Sequence, residues 1–240
     1  MARRHGFNSI MRRLLPVLTT AALLLLLPGI VLSPSSNSKF LAGLFSQHAD
    51  TRASGVRPQD YPLLAERITG YLTGTVAMPQ TLVLRQGVEG PAFSSQELEH
   101  LQDVKTLYRL SDKLNLMGWL LLGFAYLLSY FVSKRQTKPA MTLFLRSLQS
   151  AALVVILLTA ALGLLAVLDF YGVFYRMHQV LFHNDLWLLN PQSDLLIQLM
   201  PQPFFIAYAR AAGLRLGLIL LAVIGFGAAG RYLIRKRGAR

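Results

Sequence analysis

Four stretches of this 240-residue chain are each long and apolar enough to cross a lipid bilayer, and no other feature constrains its fold as tightly. A hydrocarbon core of ~30 Å takes roughly 20 residues of helix; residues 14–32, 114–132, 148–168 and 206–234 provide it. In hydrocarbon each backbone N–H and C=O must find its partner within the protein, so isolated runs of this length are helices. Composition agrees: 53% apolar residues, 15% charged residues and a mean hydropathy of +0.44 do not belong to an ordinary soluble domain. The expected fold is an all-α membrane protein, a single membrane domain over residues 1–240 with four transmembrane helices.

The first run could be mistaken for a cleavable leader, because Arg3, Arg4, Arg12 and Arg13 precede LLPVLTTAALLLLLPGIVL. That run is longer than a leader's apolar region, and the following SPSSNSK offers no small-residue cleavage site. It reads as a retained helix, with Pro16 near its first turn and Pro28-Gly29 loosening its outer end.

Charge sets the expected orientation. The N-terminal segment (four Arg), the segment between the second and third spans (Lys134, Arg135, Lys138, Arg146) and the tail RYLIRKRGAR carry bases and no acid, whereas every Asp and Glu falls in residues 33–113 or 169–205. The positive-inside rule then puts both termini in the cytoplasm and makes 33–113 a sizeable extracytoplasmic loop domain, with 169–205 a second extracytoplasmic loop. The net charge of +13 is thus a topology signal, with anionic lipid as its partner. Nucleic-acid binding is disfavoured, because the bases are split among three short membrane-flanking pieces. A transporter is disfavoured too, since the spans carry almost no charge near their midplanes. With no cysteine there is no disulfide to brace the outer loop and no thiolate nucleophile or ligand.

Within 33–113, SPSSNSK and GLFSQHADTRASGVRP read as loose segments, and DYPLLAERITGYLTG as a short helix capped by Asp60. TGTVAMPQTLVLRQGVEGPAFS has the Gly, Pro and β-branched content of a loop or weak hairpin. SSQELEHLQDVKTLYRL then opens with Ser94 and Glu97 spaced as a capping box, and no Gly or Pro intervenes before Gly118, so the helix is expected to run into the second span. His100 shares a stripe with Val104 and Leu107 and is expected to face inward, beside Asp103. The alternative is a structural histidine bonded to Asp103 or Glu97. His5 and His48 lie in polar segments and read as incidental.

After the third span, FYRMHQVLFHNDLWLLNP gathers His178, His183, Asn184, Asp185 and Trp187. His178 and His183 are five positions apart, about 140° around a helix, so they do not share a face unless the helix ends between them. With no third ligand evident, no metal site is expected. Tyr171, Tyr175 and Trp187 suit an interfacial aromatic belt. Ionisable groups at a membrane boundary point instead to function. Arg210 and Arg215, at the outer end of the last span, are consistent with snorkelling side chains.

Two inward-facing imidazoles, from the outer ends of the second and third spans, make a candidate acid/base pair. Asp103 or Asp185 could orient a ring, and Asn184 or backbone N–H groups could stabilise an oxyanion. No G-x-S-x-G elbow, phosphate loop or dinucleotide motif is present, which favours a nucleophile that arrives with the substrate. Two other readings remain: a non-enzymatic membrane protein binding an envelope lipid or protein partner, and a metal-dependent membrane hydrolase.

S-x-x-E-x-x-H-L-x-D-V-K at Ser94 to Lys105, F-x-x-x-H-x-x-x-F-x-N-D-x-W-L-L-N-P at Phe174 to Pro191, and D-x-L-I-x-L-M-P-x-x-F-F at Asp194 to Phe205 resemble the Lit family of bacterial lipoprotein intramolecular transacylases. The resemblance extends to the four-span layout. It implies a cofactor-free enzyme of the cytoplasmic membrane, acting on its extracytoplasmic side on diacylglyceryl-modified lipoproteins. The sn-2 acyl chain would move to the α-amino group of the modified cysteine, giving the lyso form. It further implies that His100 and His178 are the catalytic pair, with Asp103, Asn184, Asp185 and Trp187 as supporting or substrate-binding residues. His183 falls where the family needs no histidine, and Gln202 replaces the acidic residue expected after Pro201.

Overall fold

The computed structural model describes residues 2–133 and 140–238. Lys134, Arg135 and Lys138 of the orientation argument lie outside them, as does the side chain of His5. The elements, in order, are α1 (Ala2–Leu32), α2 (Ser38–His48), α3 (Thr51–Ser54), α4 (Tyr61–Thr73), β1 (Leu82–Arg85), β2 (Val88–Pro91), α5 (Ser95–Ser133), α6 (Ala140–Leu168), α7 (Phe170–Leu181), α8 (Leu195–Leu199) and α9 (Gln202–Gly238). Four of these, α1, α5, α6 and α9, are long and apolar enough to cross a membrane.

The chain divides into two compact units. The first comprises Met1–Gly29, Ser111–Leu165 and Leu214–Arg240, and takes in the apolar stretches of all four long helices. Its contacts use small residues and polar pairs, as expected where solvent and side chains are equally apolar. Thr19 Oγ1 donates to the carbonyls of Leu15 at 2.9 Å and of Ser147, across the helix pair, at 3.1 Å. Gln149 Nε2 donates to the Ile224 carbonyl at 2.7 Å and lies over Gly227, where a Cβ would come within 2.9 Å of the amide. A Cβ on Gly118 would meet Leu26 at 2.9 Å and the Ala22 carbonyl at 3.0 Å. Gly118→Val should therefore push α1 from α5 and destabilise by about 1–3 kcal/mol. An unchanged thermal midpoint in detergent would show that the contact yields freely.

The helix α1 runs unbroken through Pro16 and Pro28, so Pro16 lies well inside it and not near its first turn. A proline removes only one backbone donor, and the hydrogen bonds on either side carry the helix through it; Thr20 Oγ1 adds a side-chain bond to the Pro16 carbonyl at 2.7 Å.

The second unit, Ile30–Leu110 with Ala166–Gly213, has its own hydrophobic core. Phe45, Tyr61, Leu64, Ile68, Val83, Phe93, Leu101, Leu195, Leu199 and Phe204 belong to one buried cluster. Segments expected to be loose are helical here, because SKFLAGLF places Leu41, Leu44 and Phe45 on one buried face of α2 and Asp50 caps α3 by accepting from Ala53 N at 2.9 Å. Short polar-rich segments of this kind carry too little periodicity to announce themselves. The helix α4 forms as expected but Asp60 does not cap it; its carboxylate is instead held by the Arg57 guanidinium at 3.1 Å. The weak hairpin is real, with β1 and β2 antiparallel in the register Leu82↔Pro91 to Arg85↔Val88. Gln86 and Gly87 turn it with φ of 50° and 85°, the left-handed pair that a two-residue hairpin demands.

Candidate active site

The capping box at the start of α5 is made as its spacing predicts: Glu97 Oε2 accepts from Ser94 N at 2.7 Å and Ser94 Oγ from Glu97 N at 3.3 Å. Its second carboxylate oxygen does something the spacing does not predict. It accepts from Leu196 N at 2.5 Å, capping α8 as well. Glu97 is only 1% exposed, and burial raises its pKa against the opposing effect of these bonds. One carboxylate thus joins two segments 99 positions apart, and His100 follows it by one turn.

At the other side of the site, Asp169 starts α7 by accepting from Gly172 N at 2.8 Å. The helix ends at Leu181, between the two histidines, and Phe182 is extended, so the 140° helical offset does not apply to the pair and burial alone distinguishes them. His178 is buried in α7 while His183 is exposed. His178 Nδ1 lies 2.8 Å from the Phe174 carbonyl oxygen. A carbonyl can only accept, so Nδ1 carries the proton and the neutral ring presents its lone pair at Nε2.

His100 and His178 are brought together. Each is 8% exposed, their ring centroids are 6.3 Å apart, and Phe182 packs against both, at 5.2 Å and 5.6 Å. Phe174 and Trp187 flank His178 at 4.2 Å and 4.9 Å. His100 Nδ1 is buried with no hydrogen-bond partner. The structural reading of His100, a ring bonded to Asp103 or Glu97, is therefore not realised.

No hydrogen bond joins a carboxylate to either imidazole among the described residues. Asp103 accepts instead from Asn184 Nδ2 at 2.9 Å, and Asn184 Oδ1 accepts from Leu186 N at 3.1 Å. Asn184 therefore ties down a loop rather than offering an open amide, and Asp185 is exposed. Sequence reasoning missed Gln96, whose Nε2 donates to the carbonyls of Leu186 and Leu188, each at 3.2 Å. Gln96, His100 and Asp103 lie along one stripe of α5, so the loop is pinned one turn before and one turn after the histidine. The only signal was that shared helical face. Among the described residues no three of His, Cys, Asp and Glu cluster as a metal site would require.

Both rings lie outside the apolar spans, where burial among aromatic side chains disfavours their charged forms. Burial, then the neighbouring His178, lowers the His100 pKa to about 4, with Asp103 opposing. Burial also lowers that of His178, against the Phe174 carbonyl. Near neutral pH the pair is therefore uncharged and one lone pair is available as a base. An unfolded histidine titrates near 6.5, so the folded chain binds fewer protons between that value and about 4. The stability contributed by neutral His100 is full above pH ~6.5 and is lost as pH falls toward the folded value. Thermal midpoints of the detergent-solubilised protein should drop between pH 7 and 4 more steeply than those of His100→Gln. Parallel curves would mean that His100 is not the titrating group.

The family model for lipoprotein intramolecular transacylase Lit matches residues 17–205. Solved structures with the same fold include the membrane-integral Lit of Bacillus cereus, 19% identical, covering 97% of this chain and 100% of that one with a TM-score of 0.69. A variant of it with a histidine-to-alanine mutation is 18% identical with a TM-score of 0.71, covering 99% of this chain and 100% of that one. Another with histidine changed to arginine is 19% identical with a TM-score of 0.68, covering 100% and 99% respectively. No curated protein matches the chain. Four membrane-length helices and a family match over most of its length together establish that the chain belongs to the Lit family of lipoprotein intramolecular transacylases, as a multi-pass membrane acyltransferase.

Proposed function

We propose that this acyltransferase moves the sn-2 acyl chain of an N-terminal diacylglyceryl-cysteine to the α-amino group of the same cysteine. The product is the N-acyl, S-monoacylglyceryl lyso form, and His100 and His178 are the acid/base pair. The observation that carries the reading is the meeting of two buried imidazoles, their ring centroids 6.3 Å apart, from residues 78 positions apart in sequence. The amine attacks the ester carbonyl, an N–C bond forms, the ester C–O bond breaks, and the proton lost by nitrogen is gained by the departing glyceryl oxygen. Because His178 Nδ1 is held by the Phe174 carbonyl, which also stabilises the imidazolium, its Nε2 is the better proton acceptor. His100, its ring centroid 6.3 Å away and its buried Nδ1 without a hydrogen-bond partner, supplies the second proton-handling group. Amine and ester arrive in one molecule, so the chemistry needs no covalent enzyme intermediate, and proximity accounts for much of the rate.

Asp103 and Asn184 act on this reading by fixing the 182–191 loop, Trp187 by walling His178, and Asp185 by facing incoming substrate. The site works outside the cytoplasm with both termini inside, on the support of the basic flanking segments and the acids confined to 33–113 and 169–205. Mass spectrometry of lipoprotein N-terminal peptides from cells expressing the chain should find N-acylated, mono-esterified cysteine. If the chain is present and only diacylglyceryl or triacyl forms are found, the reading fails.

A further inference from the structure

The helix α7 leaves a row of apolar side chains uncovered. Met177, Val180 and Leu181 are all exposed, Val180 to 78%, and they fall within an arc of roughly 100°. Arg176 and Gln179, also exposed, lie together on the adjoining polar strip, and His178 points away from the apolar arc to meet His100. The row follows closely in the chain on the end of α6, where Val167 and Leu168 are exposed, Val167 to 82%. Only Asp169, the α7 cap, separates the two helices. An exposed apolar row of this kind marks an interaction site, and its place in the chain, directly after a helix long and apolar enough to cross a membrane, says what covers it.

We propose that α7 is an interfacial helix whose partner is the lipid surface: it lies at the headgroup–acyl boundary, with Met177, Val180 and Leu181 in lipid and Arg176 and Gln179 in water. Its composition fits. A helix bound in this plane needs one apolar face, a narrow polar strip, and a base suited to anionic headgroups, and Arg176 is its sole formally charged residue. Tyr171, Tyr175 and Trp187 supply rings that favour the same depth, Tyr175 and Trp187 stacking edge to face at 5.0 Å. A second copy of the chain or a soluble protein would also cover the apolar row, but neither would require the polar strip beside it to stay wet. On the function proposed above, the consequence is that His178 sits at the depth of glycerol ester bonds, so a lipid-borne ester reaches it without leaving the bilayer.

The chain contains no cysteine, so single substitutions carry a spin label without background. Full-length Met177→Cys, Val180→Cys, Arg176→Cys and Gln179→Cys proteins, labelled and reconstituted into phosphatidylethanolamine–phosphatidylglycerol vesicles, are compared for relaxation by oxygen and by a water-soluble nickel complex. All four positions are exposed in the isolated chain, so only a bilayer separates them. Labels at 177 and 180 should show an oxygen-to-nickel ratio several-fold above those at 176 and 179. Equal ratios at 179 and 180 would overturn the proposal. A label at 180 shielded from both agents would overturn it in favour of a protein partner. Neither readout depends on turnover, so failure here and failure of the transacylase reading are separable.

Discussion

His178→Ala and His100→Ala are each expected to lower lyso-form production by about 10²- to 10⁴-fold, the range that a positioned proton-transfer group contributes, while the protein still accumulates in the membrane. Accumulation is expected because the buried apolar cluster of the unit is built from other side chains and stays whole in either variant. If the two imidazoles act as one device, the double variant should be little worse than either single one, since groups that act as a unit are non-additive. Quantifying lyso-form peptides against membrane levels of each variant decides it. Full activity in either single variant removes that histidine from the mechanism, and multiplicative losses would mean that the two act in separate steps.

Glu97→Ala should cost about 3 kcal/mol of stability. Its removal orphans the buried Leu196 N–H, at about 1–3 kcal/mol, and deletes half of a capping box, at about 1 kcal/mol. Glu97→Gln should lose clearly less. Its amide oxygen keeps one acceptor, and the neutral side chain avoids the desolvation that raises the carboxylate's pKa. Thermal unfolding in detergent, read for wild type, Gln and Ala, should give that order. Because His100 follows by one turn, the Ala variant should also lose product. Equal midpoints for Ala and Gln would refute the clamp between α5 and α8.

The membrane class and its four long helices were legible because a bilayer leaves few choices to an apolar run of that length. The capping box at Ser94 and Glu97 was legible too, since it is local: it depends on residues within one turn. Local reasoning failed at α2, where Leu41, Leu44 and Phe45 become a face only against α4, and at Asp60, where an adjacent Arg57 competed for the carboxylate. It failed most informatively at Asp103 and Asn184. Read singly, each suited a polar task at the imidazoles; in the fold they bond each other, with Gln96 as an unforeseen second pin.

The sequence by itself determined the solvent of this chain, its helical class and the two histidines worth pairing, because hydrophobic length and helical period act along the chain and need no partner. Only the tertiary structure decided that His100 and His178 meet at 6.3 Å, that Phe182 packs on both rings and Trp187 on His178, and that Glu97 joins Ser94 to Leu196. These are contacts between segments distant in sequence. Burial, not residue identity, makes those imidazoles neutral, and burial exists only once the segments have closed around them.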